Sequence, residues 1–445
     1  MPPQLALISV AVFVLFIIYI EHRQSGLSGA AIWLLSIWLL YSSSKGLGAF
    51  ISINTTIEAG SRPDRYFLLT LGILGLWLLF KRRFQFGLAF KRNWLYLLII
   101  SYMLLSVTWS RTPELSLRRW GREAITLIMI CLLVAEESPV KTFLSAFKRT
   151  IYFYLPFSIL LIKYFSASGR EYDRWSGELM WIGLASQKNG LAYFCALSVI
   201  FLIWILWQDL LNLKSLQSKV PVLINILMLI LSVYLMMGPR RTLTYSSTSF
   251  LSLLTGLIVM MSLRKGAKKG IKLGHTVATI VVMLMLIGIF MPFSGKIPLK
   301  EVPRLVGRGE TLTGRTNIWN ALVPYAKKHI VLGYGYGGFW TTTLREQIAS
   351  HAHNGYLETV LALGFSGLIL FSLFLISTAK KCTKLINNES SIYILFLSFI
   401  FMYLIRNIAE TSLGEFQSIS GIIIAIIYFL INEEYSTLNE LTNPT

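Results

Sequence analysis

Residues 221–238 read P-V-L-I-N-I-L-M-L-I-L-S-V-Y-L-M-M-G, eighteen positions without one charged side chain. As an α-helix rising ~1.5 Å per residue, such a stretch reaches about 27 Å, close to the ~30 Å hydrocarbon thickness of a bilayer. In water it would expose apolar surface on every side. In lipid it is stable, because a helix satisfies its own backbone groups. Working outward, comparable runs recur at about 4–20, 27–41, 66–80, 93–109, 122–135, 150–166, 189–207, 242–263, 274–293, 354–377, 391–407 and 418–432. The sequence therefore predicts an all-α polytopic membrane protein with about 12–13 transmembrane helices. It reads as one integral membrane domain over 1–445, with a large loop at 294–352.

Composition agrees. Of 445 residues, 55% are hydrophobic and 14% charged, against roughly 25% charged in an average soluble chain. Disorder, a collagen-like chain and a secreted disulfide scaffold are excluded. Cys131, Cys195 and Cys382 have neither metal-site spacing nor a disulfide framework. No basic residue precedes the first run and no small-residue site follows it, so a cleaved signal peptide is not expected. A net charge of +20 would suggest nucleic acid in a soluble protein. Here the charges sit in short turns between apolar runs, so membrane topology explains them first and an anionic ligand second.

Orientation follows from the basic turns. Lys81, Arg82, Arg83, Lys91 and Arg92 fill one, Arg264, Lys265, Lys268, Lys269 and Lys272 a second, and Lys380, Lys381 and Lys384 a third. The positive-inside rule assigns all three to the cytoplasm. The 294–352 loop then lies outside, as does the N-terminus if all thirteen runs cross. The same alternation leaves Arg111, Arg118, Arg119, Arg122, Arg170, Arg174, Arg240, Arg241, Arg304, Arg308 and Arg315 on the outer side. Any single one can be a snorkelling side chain. Together they run against the topological bias and suggest an anion held at the outer face, since Arg stays charged and binds phosphate bidentately.

The outer loop reads G-R-G-E-T-L-T-G-R-T-N-I-W (Gly307–Trp319), then L-G-Y-G-Y-G-G-F-W (Leu332–Trp340), then S-H-A-H-N-G-Y-L-E (Ser350–Glu358). No strand–helix unit surrounds its glycines, so a dinucleotide fingerprint is not supported. The plainer reading is a compact turn-rich loop with Tyr334, Tyr336, Phe339 and Trp340 packed at the membrane interface. His353 can be neutral near pH 7 and serve as a general base, or it can cap the following helix. His351 can share the role or be merely exposed. Asn354 suits a helix cap. Two roles stand side by side for Glu358: orienting His353, or an unrelated buried hydrogen bond. Gly364 and Gly367 suit close helix packing. The whole chain has three Asp (Asp64, Asp173 and Asp209) and no D-x-D pair, so neither a metal nor another cofactor is expected.

His353-Asn354, nine residues, then Gly364-Phe365-Ser366-Gly367 is similar to the signature of the O-antigen ligase and O-antigen polymerase family of bacterial membrane glycosyltransferases. T-W-S-R-T-P-E-L-S-L-R-R-W (Thr108–Trp120), R-W-S-G (Arg174–Gly177) with Q-K-N-G-L-A (Gln187–Ala192), and G-P-R-R-T (Gly238–Thr242) resemble further segments of that family. The last has Pro239-Arg240 where Ser is usual. The L-T-G-R-T-x-I-W loop and E-A-G-S-R-P-D-R (Glu58–Arg65) resemble its exopolysaccharide-production branch, and the likeness covers roughly residues 58–375.

This resemblance implies a GT-C-like fold and an enzyme of the bacterial inner membrane that uses an undecaprenyl-diphosphate-linked glycan at the periplasmic face. It implies His353 as catalytic base, with Arg174, Arg241, Arg315, Arg118 and Arg308 on the diphosphate. Lys188, His351, Asn354 and Glu358 would support them. The reaction would be an inverting displacement without metal. The product would be an exopolysaccharide or O-antigen polymer, or glycan joined to lipid A-core if the chain is a ligase. A chain-length regulator is a candidate partner. A lipid-linked oligosaccharide transporter is the rival from another class; it would want charges or helix breaks at the bilayer midplane.

Overall fold

A computed structural model describes residues 1–51, 61–173, 177–211, 219–239, 243–271, 274–294, 311–389 and 391–442. Each of the thirteen apolar runs lies on a helix. Nine helices among the described residues are long and apolar enough to cross a membrane. A tenth span forms if Phe86–Arg92 and Trp94–Trp109, bent by 95° about Asn93, count as one. The difference from 12–13 has a plain cause. Ala30–Ser43 has only 14 residues, Pro113–Val134 carries Arg118, Arg119, Arg122 and Glu123, and Pro139–Tyr164 carries Lys148 and Arg149. The protein is a multi-pass membrane protein. Among the described residues, its sheet is one two-stranded antiparallel ribbon pairing Arg170–Tyr172 with Leu179–Trp181.

Local signals set the helix ends. Pro occupies the first turn of Pro3–Ser25, Arg62–Lys81, Pro139–Tyr164 and Val220–Met237, where its missing N–H costs nothing. Ser61 caps Arg62–Lys81 by accepting from the Asp64 amide at 3.1 Å. Asn354 caps Gly355–Lys384 by accepting from the Leu357 amide at 2.8 Å. Such caps are each worth about 1 kcal/mol.

The chain divides into two compact units, residues 1–84 with 128–253, and residues 85–127 with 254–445. In the first, Arg149 Nε donates to Glu21 and a second guanidinium nitrogen donates to the Leu27 carbonyl at 2.9 Å. The ion pair is buried on both sides, and the guanidinium also lies 4.6 Å from the Trp33 ring centroid. Removing one partner of such a pair costs far more than the pair contributes, because the other charge stays buried.

The second unit is built on the 30-residue helix Gly355–Lys384, which packs against Gly274–Phe293, Ile392–Ala409 and Ile419–Thr442. This helix is broken at Gly364, with φ 68° and ψ −172°. The aromatic–glycine loop fills the break. The Phe365 amide donates to the Ile330 carbonyl at 2.8 Å, and the Tyr334 amide to the Leu361 carbonyl at 2.9 Å. A Cβ at Gly364 would strike the Val331 carbonyl, and one at Gly333 the backbone of Ala362. The close approach expected at Gly364 is therefore real, but its partner is a loop rather than a helix.

Candidate active site

The site forms in the second unit, at the N-terminal end of Gly355–Lys384. Four segments converge there: Thr311–Lys328, residues 350–354, the end of Ile392–Ala409, and residues 410–417. Arg315 and Trp319 lie four residues apart, hence on one face of their helix. Arg315 donates to Glu410 Oε1 at 3.4 Å, and Trp319 Nε1 to the Ala352 carbonyl at 2.9 Å. Glu410 is held by the turn that follows its helix. There Asn407 Oδ1 accepts from the Ser412 and Leu413 amides at 2.9 and 2.6 Å.

His353 has φ +50°, a left-handed conformation unusual for a residue with a Cβ. Such strain persists only where surrounding contacts over-determine it. Those contacts are present on both sides. Asn354 Nδ2 donates to the Gly288 and Ile408 carbonyls at 3.2 and 3.1 Å. The Ala352 amide donates to Glu358 Oε2 at 2.9 Å. The His351 and His353 rings stand 3.9 Å apart between centroids, and a nitrogen of each lies 3.9 Å from Glu410 Oε2. His353 Nδ1 is buried without a hydrogen-bond partner.

Electrostatics divides the roles. Burial, with the neighbouring His351, lowers the His353 imidazole from 6.5 to about 4, so it is neutral at pH 7. Burial alone would push the Glu410 carboxyl up. The His351 imidazole 3.9 Å away and the charges of Arg315 and Arg406 outweigh it and bring the carboxyl down to about 2. A neutral imidazole thus faces an ionised, almost fully buried carboxylate whose charge is matched by two arginines. That arrangement can accept a proton at His353 and stabilise the imidazolium that forms.

Behind these groups lies a second acidic layer. Tyr336 donates its hydroxyl to Glu123, and the Phe416 amide donates to Glu123 Oε2 at 3.0 Å. Gln417 Nε2 donates to Glu415 Oε2 at 3.2 Å. Burial raises Glu415 to about 7. Arg119 donates to the Gly337 carbonyl, and the Arg111 guanidinium stacks 4.1 Å from the Tyr334 ring centroid. Tyr334, Tyr336, Phe339 and Trp340 are all at most 4% exposed. They form the core of the loop rather than an interfacial belt.

The sequence-derived residues fare differently. His353, His351, Arg315, Asn354 and Glu358 come together. Glu358 accepts from Trp340 Nε1 at 2.5 Å and from the Ala352 amide, so it positions the histidine segment through backbone rather than touching His353. Arg118 lies on an exposed helix face, 3.4 Å from Glu114 one turn back. Lys188 belongs to the first unit, 5.5 Å from the Tyr245 ring centroid. Arg174, Arg241 and Arg308 lie outside the described residues.

His351, His353 and Glu410 also offer ligand atoms within 4.8 Å of one another, a donor set that suits a divalent cation such as zinc. The charge environment opposes that use. Glu410 is already matched by Arg315 and Arg406, and a dication there would face both guanidinium groups.

The O-antigen ligase family model matches residues 241–372, a span that holds Arg315, the aromatic–glycine loop, His353 and the Gly364 break. Over that span the chain resembles the O-antigen ligase family. The chain is also similar to the exopolysaccharide production protein ExoQ of Rhizobium meliloti (strain 1021). The two are 23% identical over 325 residues, 69% of each chain. No solved structure matches it.

Sequence reading missed Glu410, Glu415 and Glu123, and Glu410 lies beyond the matched span. A signal was available: in a chain with 21 acidic residues, Glu410 ends an apolar run on the side already assigned to the site.

Proposed function

We propose that the chain is a membrane glycosyltransferase. It draws a glycan from undecaprenyl diphosphate at the periplasmic face and extends an exopolysaccharide or O-antigen-like polymer. The observation that carries this reading is the neutral, buried, unpaired Nδ1 of His353 beside the Arg315–Glu410 pair. An acceptor sugar hydroxyl is a weak nucleophile and gains from a base within hydrogen-bond reach. The diphosphate leaving group gathers negative charge as the glycosidic bond breaks, and arginine is suited to it. Its arrival beside His353 raises the imidazole pKa from its low starting value toward the working range. His353 then takes the hydroxyl proton as the hydroxyl attacks the anomeric carbon with inversion. Glu410 stabilises the imidazolium.

The likeness to an exopolysaccharide production protein favours the polymerase reading. The family model's description favours a second, transfer of finished glycan to lipid A-core. The experiment is transfer by the purified chain from one lipid-linked donor, offered a second donor or lipid A-core as acceptor. Extended lipid-linked chains support polymerase, and modified lipid A supports ligase. No turnover with either acceptor overturns the glycosyltransferase reading.

A further inference from the structure

At the other end of the second unit, a cavity of about 880 Å³ opens between helix ends. Gly355–Lys384 has its catalytic end at residue 355 and the cavity at residues 380–384. Gly274–Phe293 runs the opposite way: His275 lines the cavity, while Gly288 touches Asn354. The cavity is thus separated from His353 by the length of both helices.

Its lining is distinctive. Lys380, Lys381, Lys384 and His275 supply cationic or hydrogen-bonding groups, Tyr435 supplies a ring, and Leu263 contributes to an apolar wall. Lys381 donates to Asn432 Oδ1 at 2.7 Å and Lys384 to the Tyr435 hydroxyl at 3.4 Å. Both ammonium groups lie 5.6 Å from the Tyr435 ring centroid. These neutral partners orient the charges without cancelling them. Among the described residues, no carboxylate forms an ion pair with any of the three lysines. Arg92, at the same end of the unit, is matched by Glu433. The positive-inside bias explains why lysines occur in this turn. It does not explain why they converge, with no ion pair among the described residues, on a cavity walled by residues of several elements.

We propose that this cavity binds a phosphate-bearing anion, with the headgroup of an anionic phospholipid as its source. Basic pockets between transmembrane helices suit such headgroups, and the apolar wall suits the glycerol and first acyl carbons. Soluble phosphate shares the headgroup chemistry and is the rival source.

The test uses the full-length protein in a neutral detergent. The unfolding midpoint is titrated with phosphatidylglycerol, with phosphatidylcholine, and with inorganic pyrophosphate. A saturable upward shift with phosphatidylglycerol alone supports the lipid source. A shift with pyrophosphate as well assigns the site to soluble phosphate. Replacing Lys380, Lys381 and Lys384 by Gln weakens apparent affinity on the order of a hundredfold, since each lysine contributes up to roughly a factor of five. The triple Lys→Arg variant keeps binding. Should the triple Gln variant fail to fold, Lys384→Gln alone is expected to weaken binding about fivefold. Equal shifts with phosphatidylcholine and phosphatidylglycerol, or undiminished binding in the Gln variants, overturn the proposal.

Discussion

Arg315 and Glu410 meet at 3.4 Å although 95 residues of sequence separate them. Arg315 sits on the Thr311–Lys328 helix and Glu410 just past a membrane-spanning helix, and both histidines stand beside them. The pair ties loop to membrane bundle at the point where chemistry is proposed. It also gives Glu410 a role beyond charge, because the carboxylate faces Arg315, His351 and His353 at once.

Glu410→Gln keeps the shape and removes the charge. Transfer is expected to fall at least tenfold, with donor binding changed less, because the imidazolium loses its stabilising anion. Full transfer in this variant would show that Glu410 only anchors Arg315.

Arg315→Lys retains charge but loses the planar fork. A tenfold or greater loss of transfer, with protein level intact, is expected in a purified-donor assay. Wild-type rates would make Arg315 a structural cation.

His353→Ala is expected to slow single-turnover transfer by roughly 10²–10⁴-fold, the usual scale for a lost general base, while lipid-linked donor still binds. Lost binding together with lost transfer would make His353 a donor ligand instead. The same assay with excess chelator should proceed unchanged if Arg315 and Arg406 serve Glu410 in place of a metal. Inhibition reversed by added zinc would reassign the three-residue cluster.

The pH response of stability separates the two layers. His353 titrates near 4 in the folded protein, below its ordinary 6.5. Between these values the unfolded chain binds the extra proton, so the His353 contribution is lost as pH falls from 6.5 through 4. The melting point of His353→Gln relative to wild type should therefore rise on acidification in that window. Glu415 is displaced the other way, from 4.5 up to about 7. Here the folded chain holds the extra proton, and stability falls as pH rises from 4.5 through 7. Glu415→Gln should gain on wild type as pH rises. Parallel curves for both variants would mean that neither group is displaced.

Gly364→Ala combines a left-handed φ with a collision at the Val331 carbonyl. The conformation alone, nearly exclusive to glycine, costs about 1–3 kcal/mol, so lower thermal stability and loss of transfer are expected together. Gly121→Ala, inside the Pro113–Val134 helix with open space beside it, should be milder. Equal effects at the two positions would argue against the loop-in-break geometry.

Helices were legible from sequence because hydropathy acts locally: all thirteen runs lie on helices. Arg315 and His353 could be read because local spacing and family likeness marked them. Glu410 could not, since its partners come from distant segments and only packing brings them within 4 Å. The break at Gly364 was hidden for the same reason. A glycine in an apolar run reads equally as a helix contact or as a place where another backbone enters.

The hydrogen bond from the Tyr334 amide to the Leu361 carbonyl closes the intervening residues into a ring. Within the ring, Asn354 and Glu358 fix the histidine segment and the start of the helix, whereas the stretch before Ser350 lies apart from those bonds. Residues inside it, such as Thr342–Gln347, can be lengthened, shortened or exchanged while the flanking spans stay in place. Variation confined to that stretch would leave the clasp, the Asn354 cap and the flanking helices unaltered.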